Sequence, residues 1–276
     1  MNLDAHQHFW KYNPEEYGWI DDEMSILKKD FLPQDLLPSL QKSDMNGTIA
    51  VEARQTLEET RWLLALSDAF DFIRGVVGWV DLRSDDLVNQ LQVFTRHPRF
   101  CGVRHVIQDE PDDRFMLKED FLRGIRHLKK YNLVYDVLIF EKHLPYTIEL
   151  VRQFPDQRFV VDHIAKPLIK DHILQPWEKN IRKLAEFPNV FCKVSGMVTE
   201  ADWHQWKPAD LKSYLDVVFE TFAAERIMIG SDWPVCLLCG EYSEVIGVVR
   251  EYIQSLSQNE IKRVMGDTAM EVYGIE

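Results

Sequence analysis

Eight short apolar runs recur along the chain, each followed by a polar loop and then by a segment with helical periodicity. They are Leu3–His8, Thr48–Ala53, Gly75–Val80, Cys101–Val106, Leu133–Ile139, Phe159–Ile164, Val190–Ser195 and Ile227–Ser231. Their lengths and β-branched content suit strands buried on both faces, as in parallel sheets. Local chemistry marks the helix starts between them. Pro33 opens Pro33–Asp44 at the first-turn position where proline is tolerated. Thr56-Leu-Glu-Glu59 is a capping box ahead of Thr60–Phe70, whose Leu63, Leu64 and Leu66 form an apolar stripe. Further helices are predicted over Asp85–His97, Lys118–Lys130, Lys142–Phe154, Pro176–Phe187 and Pro208–Ala224. A second box, Ser257-Gln-Asn-Glu260, opens a last helix running toward Gly266.

Eight strands alternating with helices predict an α/β fold, a (β/α)8 barrel of the TIM type. An open doubly wound sheet would want a glycine-rich phosphate turn, and the chain has neither a G-x-G-x-x-G nor a Walker sequence. No linker rich in Gly, Ser or Pro divides the 276 residues, so 1–276 reads as one domain. The 45 acidic and 32 basic residues give a formal net charge of -13, which argues against nucleic acid or an anionic membrane as partner. No signal-like start is visible, and no apolar run nears the ~20 residues that span a bilayer. Four cysteines are sparse usage, which fits a reducing cytoplasm. Cys236-Leu-Leu-Cys239 lacks a second pair to complete a zinc site and reads as apolar packing. Barrels commonly pair through their helices, so a homodimer is compatible with the sequence, although no helix shows an over-apolar outer face.

Such barrels carry their sites at the C-terminal ends of the strands, so polar residues at those ends are the ones to weigh. His6 and His8 lie two apart on the first run and can converge on one atom, a metal ion or a substrate carbonyl oxygen. The second run carries Glu52 and Arg54, and the fourth ends in Arg104-His105. Asp136 lies on the fifth, Asp162-His163 ends the sixth with Lys166 beyond it, and the seventh carries Lys193 and Ser195. The eighth ends in Gly230-Ser231-Asp232-Trp233, with Gly230 leaving room for the Asp232 carboxylate. Glu52, Asp136 and Asp162 could equally pair with cations in the barrel wall.

These pieces in this order resemble the amidohydrolase superfamily. The matching stretches are Asp4-Ala-His6-Gln-His8-Phe-Trp10, Gly102-Val-Arg104-His105 and Asp162-His163-Ile-Ala-Lys166-Pro167. They continue with Cys192-Lys193-Val-Ser195-Gly196, Ile229-Gly230-Ser231-Asp232-Trp233-Pro234 and Gly266-Asp-Thr-Ala269. Within the superfamily the chain resembles the amidohydrolase 2 branch, with its sugar-lactone hydrolases of the L-fuconolactonase and L-rhamnonolactonase kind. The resemblance implies Asp232 as the base that activates water. It implies His6, His8 and His163 around the substrate carbonyl, directly or through one Zn²⁺ or other divalent ion held by His6, His8 and Asp232. A binuclear centre is not expected, because the middle strands lack the metal-binding His of binuclear members.

Ring-opening of an aldonolactone such as L-fuconolactone then needs groups to grip hydroxyls, for which Arg54, Arg104, His105, Lys166 and Glu52 are candidates. Trp10 and Trp233 offer stacking surfaces for a sugar ring. Two enzyme alternatives stand beside this reading: a zinc-dependent decarboxylase, and a hydrolase of aromatic or dicarboxylate lactones using Arg54 and Arg104 as a clamp. A non-catalytic binding barrel would leave Asp232 and the histidine pair without a purpose.

Overall fold

The computed structural model of the protein describes residues 1–275; Glu276, the last residue of the expected domain, lies outside them. Eight parallel strands follow one another around the sheet in chain order. They are β1 (Leu3–Gln7), β2 (Gly47–Val51), β3 (Ile73–Gly78), β4 (Phe100–Val106), β5 (Val134–Leu138), β6 (Phe159–Val161), β7 (Val190–Val194) and β8 (Ile227–Ile229). The first and last strands meet at their upper ends, where Asp232 N donates to His6 O (2.8 Å) and His8 N to Trp233 O (2.7 Å). The result is a nearly closed (β/α)8 barrel, as the alternation predicts.

The outer helices are α1 (Pro33–Lys42), α2 (Leu57–Ala69), α3 (Leu87–Phe94), α4 (Glu119–Leu128), α5 (Leu144–Gln153), α6 (Trp177–Leu184), α7 (Pro208–Phe222) and α8 (Tyr242–Tyr252). Two short helices, α9 (Gln258–Lys262) and α10 (Thr268–Tyr273), end the chain. Pro33 and Pro208 open α1 and α7 as expected, and Ser257 and Glu260 form the reciprocal cap of α9. Among the described residues no helix is long and apolar enough to cross a membrane.

Three departures from the sequence expectation have physical causes. Two strands stop early, β6 at Val161 and β8 at Ile229, because the chain beyond them turns into left-handed backbone at His163 and at Asp232. Helix α8 was not expected. Its stripe of Tyr242, Val245, Ile246 and Val249 is sound, but Gly240 and Gly247 weaken the helical pattern. The final helix widens into a π turn over Arg263–Asp267 and departs from helical backbone at Gly266, where a Cβ would lie 2.0 Å from Met1 O, so the N-terminus crosses at that glycine.

The barrel interior is layered. Its lower part is apolar, built from Leu3, Ala5, Ile49, Val51, Val77, Val134, Val160 and Met228, and plugged by Ala269, Val272 and Tyr273 of α10. Above it lies a fully buried charged layer. Lys193 Nζ contacts Asp136 Oδ2 (2.5 Å) and Asp162 Oδ1 (3.0 Å), while Arg104 reaches Asp162 Oδ2 (3.2 Å) and Glu52 Oε1 (2.9 Å). Tyr273 OH donates to the Asp136 carboxylate from below (2.8 and 2.9 Å). Burial disfavours the ionised form of Asp162, but Lys193, His6 and Arg104 together hold its carboxyl well below the usual range. Burial has the upper hand at Asp136, whose carboxyl is pushed up to about 6 against the pull of Lys193.

Removing one partner of this layer should expose the cost of its charges. Tyr273→Phe is expected to lower unfolding free energy by about 1–2 kcal/mol, and Lys193→Met by about 3–5 kcal/mol, because the latter leaves buried carboxylates unpaired. Urea unfolding followed by circular dichroism checks both; equal small losses would contradict the arrangement.

Candidate active site

Four side chains meet where the strands end above the charged layer. His6 leaves β1 beside a register shift, and Gly230 makes way for it: a Cβ there would lie 2.7 Å from His6 Cβ. The space read at Gly230 thus serves the His6 side chain. His8 follows β1, and its Nδ1 lies 2.8 Å from Val51 O. A carbonyl only accepts, so Nδ1 carries the proton and Nε2 turns its lone pair to the site. At His6, Arg104 Nη1 approaches Nε2 (3.3 Å) and Asp162 Oδ1 approaches Nδ1 (3.2 Å). A guanidinium only donates, which again leaves the lone pair on Nε2, although Lys193 Nζ also lies 3.3 Å from Nδ1.

His163 begins a run of four left-handed residues, His163 to Lys166, with φ between 47° and 62°. Each such non-glycine residue costs roughly 1–2 kcal/mol. The turn is tied by Lys166 N donating to His163 O (2.8 Å) and by Trp177 Nε1 donating to Ile164 O (2.7 Å). It turns both His163 and Lys166 into one cavity. Behind the His163 ring lie Ser195 Oγ, 2.9 Å from Nδ1, and Gly196 at φ +58°. Asp232 is also left-handed, at φ +59°. Its neighbour Ser231 is fixed by Asp4, whose carboxylate accepts from Ser231 N (2.9 Å), Ser231 Oγ (2.6 Å) and Tyr242 OH (3.0 Å).

Asp232 Oδ1 lies 3.4 Å from His8 Nε2, 3.8 Å from His6 Nε2 and 3.8 Å from His163 Nε2. Burial opposes its charge, but the surrounding histidines, His163 foremost, hold the carboxyl far below the ordinary range, so it is ionised at neutral pH. Burial lowers His163 to about 4 and drives His6 down as well, leaving both imidazoles neutral. His6 Nε2 and His8 Nε2 are 3.2 Å apart. Two imidazole nitrogens and a carboxylate oxygen converge with separations of 3.2, 3.4 and 3.8 Å. A tetrahedral ion with bonds near 2.1 Å spaces its ligands about 3.4 Å apart. The spacing of His6, His8 and Asp232 fits a divalent cation, and His6, Asp162 and His163 form a second compact group of candidate ligands beside it.

The cavity above these groups measures about 590 Å³. His8, Arg54, Arg104, His163, Lys166 and Asp232 all line it, among the residues singled out from the sequence. Arg54 is already engaged: its guanidinium meets Glu16 Oε2 (2.5 Å) and Glu59 Oε2 (2.7 Å) and lies over Tyr17 (5.5 Å). Glu59 does not close the expected capping box. Thr56 Oγ1 accepts from Glu59 N, but the Glu59 carboxylate accepts from Ala53 N and Arg54 N. Arg54 and Glu59 thereby clasp the loop after β1, which carries Glu16, Trp19 and Met24 to the cavity wall.

Other candidates fall outside the cavity lining. Glu52 backs Arg104 inside the barrel. Trp10 is fully buried against Tyr17, Trp19 and Phe31, and Trp233 packs on Phe9 and Phe31, so both knit loops together. His105 stacks on Phe115 and contacts Glu110 at 2.7 Å. Among the wall residues that sequence reasoning did not single out are Glu200 in the loop after β7 and Gln108 after β4. Their place directly beyond strand C-termini was the available signal.

Fold and site together define a barrel hydrolase, and the chain belongs to the amidohydrolase family, whose pattern it matches over residues 3–275. It is 39% identical to the L-fucono-1,5-lactonase of Burkholderia multivorans, over 100% of this chain and 96% of that one. It is 36% identical to the L-fucono-1,5-lactonase of Burkholderia ambifaria, over 88% of this chain and 84% of that one. A crystal structure of an amidohydrolase from Burkholderia multivorans with bound zinc superposes with a TM-score of 0.96 at 38% identity, covering 100% of both chains.

Two substitutions test this geometry. A methyl at Gly196 would sit 2.4 Å from His163 Nδ1, at a backbone angle that disfavours it. Gly196→Ala is expected to lower kcat/KM roughly 100-fold through displacement of His163 while the far-ultraviolet spectrum is kept. Arg54→Met is expected to raise KM roughly 10-fold, with a smaller change in kcat, and to speed proteolytic cutting within residues 11–30. An unaltered cutting rate would show that Arg54 does not hold the loop.

Proposed function

We propose that the protein hydrolyses the ring ester of an uncharged sugar-acid lactone, with L-fucono-1,5-lactone, named for its Burkholderia relatives, as the first candidate. The observation that carries the choice of substrate is the pairing of every cation in the cavity. A dicarboxylate lactone, or an acid awaiting decarboxylation, requires a cation free to clamp its carboxylate. Arg54 faces Glu16 and Glu59, Arg104 faces Glu52 and Asp162, and Lys166 faces Glu200. A neutral polyhydroxylated ring suits such a cavity.

In this reading Asp232 accepts a proton from the attacking water, whose oxygen adds to the lactone carbonyl carbon. Ser195 Oγ donates to His163 Nδ1, which leaves the Nε2 proton of His163 free to bond the developing oxyanion. As the carbon–oxygen ring bond breaks, the proton on Asp232 passes to the departing ring oxygen. Protons and charge then balance as one neutral ester and water give a hydroxy acid, which ionises. His6, His8 and Asp232 would hold one divalent ion, with zinc the class their donors suit; it would supply Lewis-acid polarisation and a more acidic water. Four free cysteines accord with work in a reducing cytoplasm, and residues 1–276 act as one domain.

Proton release at constant pH, measured on aldonolactones beside dicarboxylate lactones, tests the reading. Wild type is expected to open the aldonolactone, and Asp232→Asn to lose ~10²–10⁴-fold in kcat. Metal analysis is expected to find one zinc per chain, lost in His8→Ala. Preference for the dicarboxylate lactone, or no turnover of any lactone, would overturn it.

A further inference from the structure

Lys166 and Glu200 face the cavity from two different loops, after β6 and after β7. The loops are joined by backbone, Lys170 N donating to Glu200 O at 2.9 Å, so the spacing of the two side chains is built in. Lys166 gains its direction from the left-handed turn, and its Nζ lies 5.5 Å over the Phe140 ring. Glu200 ends the turn Val198–Glu200, which Trp203 braces by donating from Nε1 to Thr199 O (2.9 Å). Phe140 and Trp203 are themselves part of the cavity wall, giving apolar surface next to the charges.

Lys166 Nζ and Glu200 Oε1 are 3.7 Å apart. That exceeds the range of a hydrogen bond, in contrast to the contacts of Arg54 and Arg104 with their carboxylates. An oxygen about 2.8 Å from each atom closes such a gap. A hydroxyl is the group that does so with full satisfaction, accepting from the ammonium and donating to the carboxylate. Burial pushes Glu200 up, and Lys166 opposes this.

We propose that Lys166 and Glu200 together bind one ring hydroxyl of the substrate and so set the preference for hydroxylated over plain lactones. The proposal rests on the lactonase reading and assigns Glu200 a role in recognition, beside Lys166. The pair touches a hydroxyl and not the reacting ester, so its loss must act on selectivity.

The test is the ratio of kcat/KM on the aldonolactone to kcat/KM on δ-valerolactone, which has no hydroxyl. Wild type, Lys166→Met, Glu200→Gln and the double variant are compared, with monodeoxy aldonolactones run on wild type and Lys166→Met. The ratio is expected to fall about 10- to 100-fold in each single variant, and by less than the product of those falls in the double variant. One monodeoxy lactone is expected to show a similar loss on wild type and little further loss with Lys166→Met. Should Glu200→Gln fail to fold, the monodeoxy series on wild type and Lys166→Met still decides. An unchanged ratio, or equal sensitivity of every monodeoxy lactone to Lys166→Met, overturns the pair alone. Absence of lactone turnover by wild type overturns the lactonase reading itself.

Discussion

The Asp162 carboxylate is the fixed point on which the upper barrel is assembled. It meets Lys193, Arg104 and His6 at 3.0–3.2 Å with no exposure to solvent. A buried carboxylate is costly alone, and two cations with an imidazole offset that cost only in one geometry. Because Arg104 also holds Glu52, and Lys193 also holds Asp136, a single arrangement links six strands or their ends, β1, β2, β4, β5, β6 and β7. Aliphatic residues would fill the same space with equal or better stability. What they could not do is orient His6, whose Nδ1 and Nε2 are assigned by the donors and acceptors of this layer. The layer below is apolar and plugged by α10, so it offers these charged groups no competing polar partner from its side chains.

Above that layer, the site is made by backbone that breaks the rules of its own strands. A strand continued through His163 would alternate its side chains, sending one of each adjacent pair to the helices. The left-handed run from His163 to Lys166 instead presents both of its ends to the cavity. Asp232 leaves β8 in the same way, and Gly196 leaves β7 at φ +58° under the His163 ring. Backbone of this kind persists only where its surroundings overdetermine it. Here Trp177, the Asp4–Ser231–Tyr242 contacts and the β1–β8 closure supply that constraint.

The same division explains what could be read from the sequence. Period and composition reveal the eight strands, since buried parallel strands need little beyond apolar, β-branched runs. His6, His8 and Asp232 were legible because strand ends in a barrel share one face of the molecule. Left-handed turns built from His, Ile, Ala and Lys carry no compositional mark, so β6 and β8 were drawn too long. Arg54 drew attention as a free cation, yet Glu16 and Glu59, its partners, sit in another loop and in the first turn of α2. Glu200 went unnoticed for a related reason: a lone loop carboxylate gains meaning only when Lys166 is placed opposite it.

Pairing of charge also bears on turnover. The chain carries 45 acidic against 32 basic residues, and the cavity repeats that imbalance, with Glu16, Asp109, Glu200 and Asp232 facing Arg54, Arg104 and Lys166. A neutral lactone enters such a field without electrostatic penalty. Its hydrolysis leaves a carboxylate in a cavity whose wall also carries Glu16, Asp109 and Glu200. With Arg54 and Arg104 held by buried or clasping carboxylates, no free guanidinium is at hand to retain the new charge. Like-charge repulsion across a few ångströms in a partly desolvated cavity then acts on product but not on substrate. The charge pairing proposed to select neutral substrates thus also favours departure of the acid.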